Sequence, residues 1–287
     1  MADSDARADD PSRRRLLAGA AGAGFALAVQ PVSAETITTS AAGLDAADVK
    51  IPTSSGDIPA YRAAPAEKKN KPHPLVLVVH EIFGVHEHIR DLCRRLAKQG
   101  YYAVAPDLFV RQGDVTKLEG FDQIRKIVDV VPDAQILSDL DATVAWATHQ
   151  AGADPSKLAI TGFCWGGRVV WLYAAHRKDL KAGVAWYGRL SGEQSHYRPR
   201  QPLDVGAELN APVLGLYGGK DQGIPQTDVE AMKKVLAGGN AAARASEFVV
   251  YPQAGHAFNA DYRPSYDPHA AADGWRRMLA WFKKHGA

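Results

Sequence analysis

Apolar residues follow one another along this chain in two alternating rhythms. Leu75-Val76-Leu77-Val78-Val79 is an unbroken run of leucine and valine, the pattern of a strand covered on both faces. Shorter runs of the same kind are Tyr102–Ala105, Leu158–Ile160, Ala182–Trp186, Val213–Tyr217 and Phe248–Tyr251. Between them the apolar positions recur at helical spacing. They predict helices over His88–Gln99, Ile136–Gln150, Gly166–His176, Thr227–Ala237 and Ala270–Lys284. In the second, Ile136, Leu140, Val144 and Ala147 mark one apolar face. Upstream, Val49–Ile51 and Ile58–Tyr61 read as short strands around the turn Ser55-Gly56-Asp57. Ala66–Pro74, with Lys68, Lys69, Lys71 and two prolines, reads as a solvated connector. Strands alternating with helices predict a single α/β domain over residues 49–287, with a mostly parallel central sheet and helices on both faces. No internal repeat or interdomain linker divides it.

Composition narrows the functional classes. Of the 287 residues 46% are apolar, enough for a substantial core. Thirty-four Lys and Arg against 32 Asp and Glu leave a net charge of +2, too little for a broad nucleic-acid surface. Two cysteines, Cys93 and Cys164, cannot build a disulfide scaffold or a four-thiolate zinc site. No apolar run is long enough for the mature chain to span a bilayer.

The amino terminus reads separately. Ser12-Arg13-Arg14-Arg15-Leu16-Leu17 precedes an uncharged Ala- and Gly-rich stretch and the small residues Val32-Ser33-Ala34. Residues 1–34 are expected to be a twin-arginine signal, removed near Glu35, that sends the folded protein through the twin-arginine export machinery to the periplasm. Residues 35–48 are expected to form a surface arm.

In a parallel sheet, ligands bind beyond the carboxyl ends of the strands. After the strand ending at Ile160 comes Gly162-Phe163-Cys164-Trp165-Gly166-Gly167. This is the Gly-x-Ser-x-Gly nucleophile turn with cysteine in the serine position. A sharp strand-to-helix turn strains the nucleophile, and the flanking glycines let neighbouring backbone approach. The thiol then sits at a helix N-terminus, which favours thiolate. Asp221 follows the strand ending at Tyr217, and His256 follows the strand ending at Tyr251. Nucleophile, acid and histidine thus occur in the chain order of an α/β-hydrolase, at three successive strand ends. His256 would serve as the base, and Asp221 would hold its ring. Backbone N–H groups of Ile82 and Trp165 are the candidate oxyanion donors, and Glu81 is expected near the thiol. His80, His86 and His88 with Glu81 and Glu87 lack the His-Glu-x-x-His spacing and a completing cysteine cluster, which argues against a metal site. No cofactor is expected.

Glu81-Ile82-Phe83-Gly84, Pro106-Asp107-Leu108-Phe109 with Arg111, Gly162–Gly167, Tyr187-Gly188 and Gly255-His256-Ala257-Phe258 together resemble the dienelactone hydrolase (carboxymethylenebutenolidase) family. The resemblance runs in order from about residue 49 to 284 and implies an α/β-hydrolase fold with a Cys-His-Asp triad: Cys164, His256 and Asp221. It implies that Glu81 holds the resting thiol until substrate displaces it. It also implies a small lactone or ester substrate, with Arg111 gripping a carboxylate and Tyr187 in the binding site. The family's second arginine falls at Ala260, with Arg263 nearby, and its common serine after the histidine falls at Ala257. Two other readings stand beside this one: a catalytically silent binding or sensing protein, and a thiol redox protein pairing Cys164 with Cys93.

Overall fold

A computed structural model describes residues 37–66, 72–150 and 152–287. The expected export signal lies outside the described residues. Eight strands form one sheet: β1 (Leu44–Ile51), β2 (Ile58–Pro65), β3 (His73–Val79), β4 (Tyr102–Pro106), β5 (Ala153–Phe163), β6 (Ala182–Trp186), β7 (Val213–Gly218) and β8 (Glu247–Tyr251). Their spatial order is β1-β2-β4-β3-β5-β6-β7-β8. The β1–β2 and β2–β4 pairs are antiparallel, and every other pair is parallel. Central β4, β6 and β7 are buried along their whole length, and β3 is buried from Leu75 onward. Their continuous apolar runs therefore contrast with the alternating exposure of edge strand β1.

The longer helices are α1 (Glu87–Lys98), α2 (Phe121–Val128), α3 (Asp133–Thr148) and α4 (Trp165–His176). A short α5 (Pro202–Val205) precedes α6 (Gln226–Ala237), α7 (Ala241–Arg244) and α8 (Pro268–Lys284). None of the described helices is long and apolar enough to cross a membrane. Chain direction assigns the faces. The β3-to-β4 crossover moves one way along the sheet, while β4-to-β5, β5-to-β6 and β7-to-β8 move the other way. Right-handed crossovers in opposite directions lie on opposite faces, so α1 covers one face and α3, α4 and α6 the other. Helix α8 returns across β6 and β7. Phe282 on α8 meets Tyr101, just beyond α1, edge to face.

Two departures from the sequence reading matter. Strand β1 begins at Leu44, inside the expected surface arm, and pairs residue by residue with the whole of β2. Strand β1 stands at the edge of the sheet, where Leu44, Ala46 and Val49 are partly buried against the core. Helix α2 was not foreseen. Ile124 and Val128 are its buried residues.

Candidate active site

The turn from β5 into α4 carries Cys164 as the helix cap, with φ 54° and ψ −112°. This left-handed conformation is costly for a residue with a Cβ. The flanking glycines explain how the turn closes. A Cβ on Gly162 would collide with the Gly166 carbonyl, and one on Gly166 would collide with the Val79 and His80 carbonyls. The start of α4 therefore rests directly on the end of β3. Tyr187 (φ 40°) and Ala257 (φ 60°) are the other non-glycine residues with positive φ among those described. All three belong to or adjoin the same site, where strain of about 1–3 kcal/mol each is held by the surrounding structure.

His256 and Asp221 meet because their loops are tied together. Gly219 N–H donates to the Tyr251 carbonyl (2.8 Å), and Lys220 N–H donates to the Ala254 carbonyl (2.9 Å). Asp221 is then buried with Oδ2 at 2.7 Å from His256 Nδ1, while its Oδ1 accepts Gly223 N–H at 2.8 Å. The imidazole also interacts electrostatically with the Cys164 side chain. Burial alone would lower the proton affinity of His256. The interaction with Cys164 and the bond to Asp221 outweigh burial, so its pKa is pushed up to about 10.

Cys164, His256, Ile82, Trp165 and Tyr187 line a cavity of about 270 Å³. Trp165 is the first residue of α4, so its N–H lies outside the helix ladder. The Ile82 loop is positioned by His80, a buried residue whose Nε2 accepts Leu108 N–H at 3.1 Å. Its Nδ1 therefore carries the proton and donates to the Glu81 carbonyl at 2.7 Å. Burial lowers the pKa of His80, keeping this ring neutral. His80 is thus a brace between the loops after β3 and β4.

Glu81 is buried, and its Oε2 accepts Tyr262 O–H at 2.7 Å with His86 Nε2 at 3.6 Å. Burial pushes its pKa up, but Arg263 and the neighbouring His86 outweigh this and hold the carboxylate well below the usual range. In the resting arrangement implied by the resemblance the thiol sits on Glu81. Cys164 interacts with the imidazole, and Glu81 is engaged by Tyr262, His86 and Arg263. The Arg263 guanidinium lies over the Phe83 ring at 4.5 Å and the Tyr262 ring at 5.0 Å, and Arg263 does not line the cavity. His88, in the first turn of α1, faces Asp261 with its Nδ1 at 3.3 Å.

Arg111 is the clearest correction. Its guanidinium binds the buried Asp139 carboxylate through two bonds (2.6 and 3.0 Å) and Thr53 Oγ1 (2.6 Å). It does not line the cavity. The partner on α3 lies 28 residues away in sequence, so no local signal warned of the pairing. Tyr187 does reach the site. Its ring meets His256 edge to face at 5.3 Å, and its buried hydroxyl has no hydrogen-bond partner among the described residues. Burial and neighbouring negative charge from Glu81 keep that phenol protonated, with its pKa well above the usual value. The site also includes residues that sequence reasoning missed: Phe121, Ile124 and Val128 of α2, and Arg189 and Arg198 of the following loop region. The spacing of the three α2 residues was a readable signal. Cys93 and Cys164 are both free thiols. Cys93 is fully buried, and burial pushes its thiol far up.

A mostly parallel sheet with a left-handed elbow residue at a strand end, faced by an imidazole from the loop after the last strand, defines an α/β-hydrolase. The dienelactone hydrolase family matches residues 58–286. A relative from Methylorubrum extorquens, provisionally named a carboxymethylenebutenolidase, is 59% identical over 277 residues, covering 96% of this chain and 94% of its own. One of the same provisional name from Escherichia coli K12 is 52% identical over 264 residues, covering 92% and 96%. The crystal structure of a provisionally named dienelactone hydrolase from Klebsiella pneumoniae superposes with a TM-score of 0.81 at 55% identity. That match covers 84% of this chain and 99% of the other. The chain belongs to the dienelactone hydrolase family and is a hydrolase of lactone or ester bonds.

Proposed function

We propose that Cys164, His256 and Asp221 form the catalytic triad of this hydrolase and that it works through a thioester on Cys164. The observation that carries this reading is the imidazole of His256, hydrogen-bonded to Asp221 and lining the same cavity as Cys164, with which it interacts. The raised proton affinity of His256 favours imidazolium beside thiolate. The thiolate attacks the carbonyl carbon of a small lactone or ester. The N–H groups of Ile82 and Trp165 stabilise the developing oxyanion. Imidazolium then protonates the departing alkoxide as the carbon–oxygen bond breaks, leaving the thioester. Neutral His256 takes a proton from water, the hydroxide adds to the thioester, and collapse expels thiolate and releases the carboxylic acid. Glu81 acts in this scheme as the fixed counter-charge of Arg263. No step calls for a cofactor.

Rapid quenching during turnover of a 4-nitrophenyl ester, followed by intact-mass measurement and peptide mapping, tests the scheme. An acyl adduct on Cys164 is expected. Steady hydrolysis with the adduct on another residue overturns the assignment.

The Tyr187 hydroxyl supports a second role in the same scheme, as a neutral donor to bound substrate. Tyr187→Phe is expected to lower kcat/KM about tenfold, the loss of one buried hydrogen bond strengthened in a dry site. The thermal midpoint should be little changed, because the hydroxyl lacks a protein partner among the described residues. A kcat/KM within twofold of the parent removes Tyr187 from the reaction.

A further inference from the structure

A backbone N–H that waits for an oxyanion has to be aimed by something other than an acceptor of its own. Neither Ile82 N–H nor Trp165 N–H has an acceptor among the described residues, although both residues are buried. A backbone donor left unpaired in a buried residue is costly and needs a reason. Beside them stands His80, a fully buried side chain that the proton transfers do not use.

The His80 ring makes two bonds. Nδ1 donates to the Glu81 carbonyl at 2.7 Å, and Nε2 accepts Leu108 N–H at 3.1 Å. The Glu81 carbonyl and the Ile82 N–H belong to one peptide unit. That unit is planar and trans, so its two polar bonds point opposite ways. A carbonyl turned to the imidazole therefore turns the Ile82 N–H away from it, and Ile82 lines the cavity with Cys164. The same carbonyl accepts Gly84 N–H at 3.3 Å. Donors on its oxygen polarise the peptide and make its N–H a stronger donor. Aromatic contacts fix the direction of the ring. It stacks on Trp165 (5.6 Å between centroids, 9° between planes) and meets Phe109 edge to face at 4.6 Å. His80 thus bonds the peptide of one oxyanion donor and packs on the residue of the other.

We propose that His80 is the positioning residue of the oxyanion hole, its Nδ1–H aiming and polarising the Glu81–Ile82 peptide. This rests on the Cys164 reading above and adds to it the group that sets the geometry of the hole. The bond to Leu108 is a separate, structural one. It braces two loops and fixes which nitrogen bears the proton.

Two substitutions separate the bonds. In His80→Asn the side-chain NH2 falls near the place of Nδ1 and can still donate to the Glu81 carbonyl, while the Leu108 brace is lost. In His80→Gln the amide oxygen reaches the place of Nε2 and can keep the brace, while the donor at Nδ1 is lost. The probes are 4-nitrophenyl butyrate and its thiono analogue, whose sulfur accepts hydrogen bonds poorly. Both release 4-nitrophenolate. Relative to their reactions with free 2-mercaptoethanol, the parent should favour the oxygen ester at least about tenfold in kcat/KM. His80→Gln should lower kcat for the oxygen ester about thirtyfold, part of the loss that follows removal of an oxyanion donor outright. Its KM should stay within about twofold, and its preference for oxygen should shrink. His80→Asn should keep kcat within about fivefold and keep the preference, even where its thermal midpoint falls further. Equal relative rates for the two esters in the parent overturn the inference without any variant. So does a preference that His80→Gln leaves unchanged, or losses that follow the thermal midpoints rather than the donor at Nδ1. Failure of both variants to fold makes the ring a structural member and overturns it too. In each case an acyl adduct on Cys164 of the parent leaves the hydrolase scheme standing, and its absence removes that scheme instead.

Discussion

Cys164→Ala is expected to reduce hydrolysis of every lactone or ester that the protein accepts by at least about a thousandfold, because removing a nucleophile removes the covalent route itself. The fold should survive. Cys164 is only partly buried at the mouth of α4, and alanine loses little contact there. Alanine also keeps the left-handed conformation as strained as before, since any Cβ is disfavoured at φ 54°. Circular dichroism and thermal unfolding should therefore match the parent while product formation falls to background. A variant retaining a tenth of the parent rate would mean that Cys164 does not form the intermediate. That would remove the thioester scheme but not membership of the family.

Asp221→Asn should be nearly as damaging, lowering kcat by roughly a hundred- to ten-thousandfold. Asp221 Oδ1 is committed to the Gly223 N–H, so the group turned toward His256 Nδ1 is Oδ2. In asparagine the amide oxygen would keep the Gly223 bond, leaving the NH2 to face the ring. A donor opposite Nδ1 favours the tautomer protonated at Nε2, the nitrogen needed to receive and return the proton. The pH profile carries an independent sign. His256 in the parent is raised to about 10, so the imidazolium acid persists through neutral pH and kcat/KM should fall as pH rises through about 10. The bond to Asp221 helps to raise this pKa, after the interaction with Cys164. Its loss must move the alkaline limb to lower pH. A limb that stays in place, or moves upward, would show that another group sets it.

What the chain disclosed in advance was whatever depends on near neighbours. The elbow from Gly162 to Gly167 is local chemistry: steric demand at two glycines and one strained residue, all within six positions. The strand ends at Tyr217 and Tyr251 are equally local, and the loops after β7 and β8 carry Asp221 and His256 to one point. Arg111 failed for the opposite reason. Its fate was decided by Asp139 on α3, and the two meet only when the chain is folded. The cavity residues Arg189 and Arg198 were invisible for a related cause. The segment after β6 has little regular structure, and tertiary bonds hold it, such as Asp133 N–H to the Tyr197 carbonyl at 2.8 Å. Helix α2 was legible in principle. Phe121, Ile124 and Val128 recur at helical spacing, but eight residues are too few for the pattern to stand out.

Cys93 lies fully enclosed on α1, with a thiol that burial keeps protonated, whereas Cys164 opens into the cavity. A small alkylating reagent applied to the native chain should therefore report on one sulfur alone. The number of equivalents consumed becomes a direct count of competent molecules in a preparation, and a shortfall becomes a gauge of how much of it has been lost to oxidation.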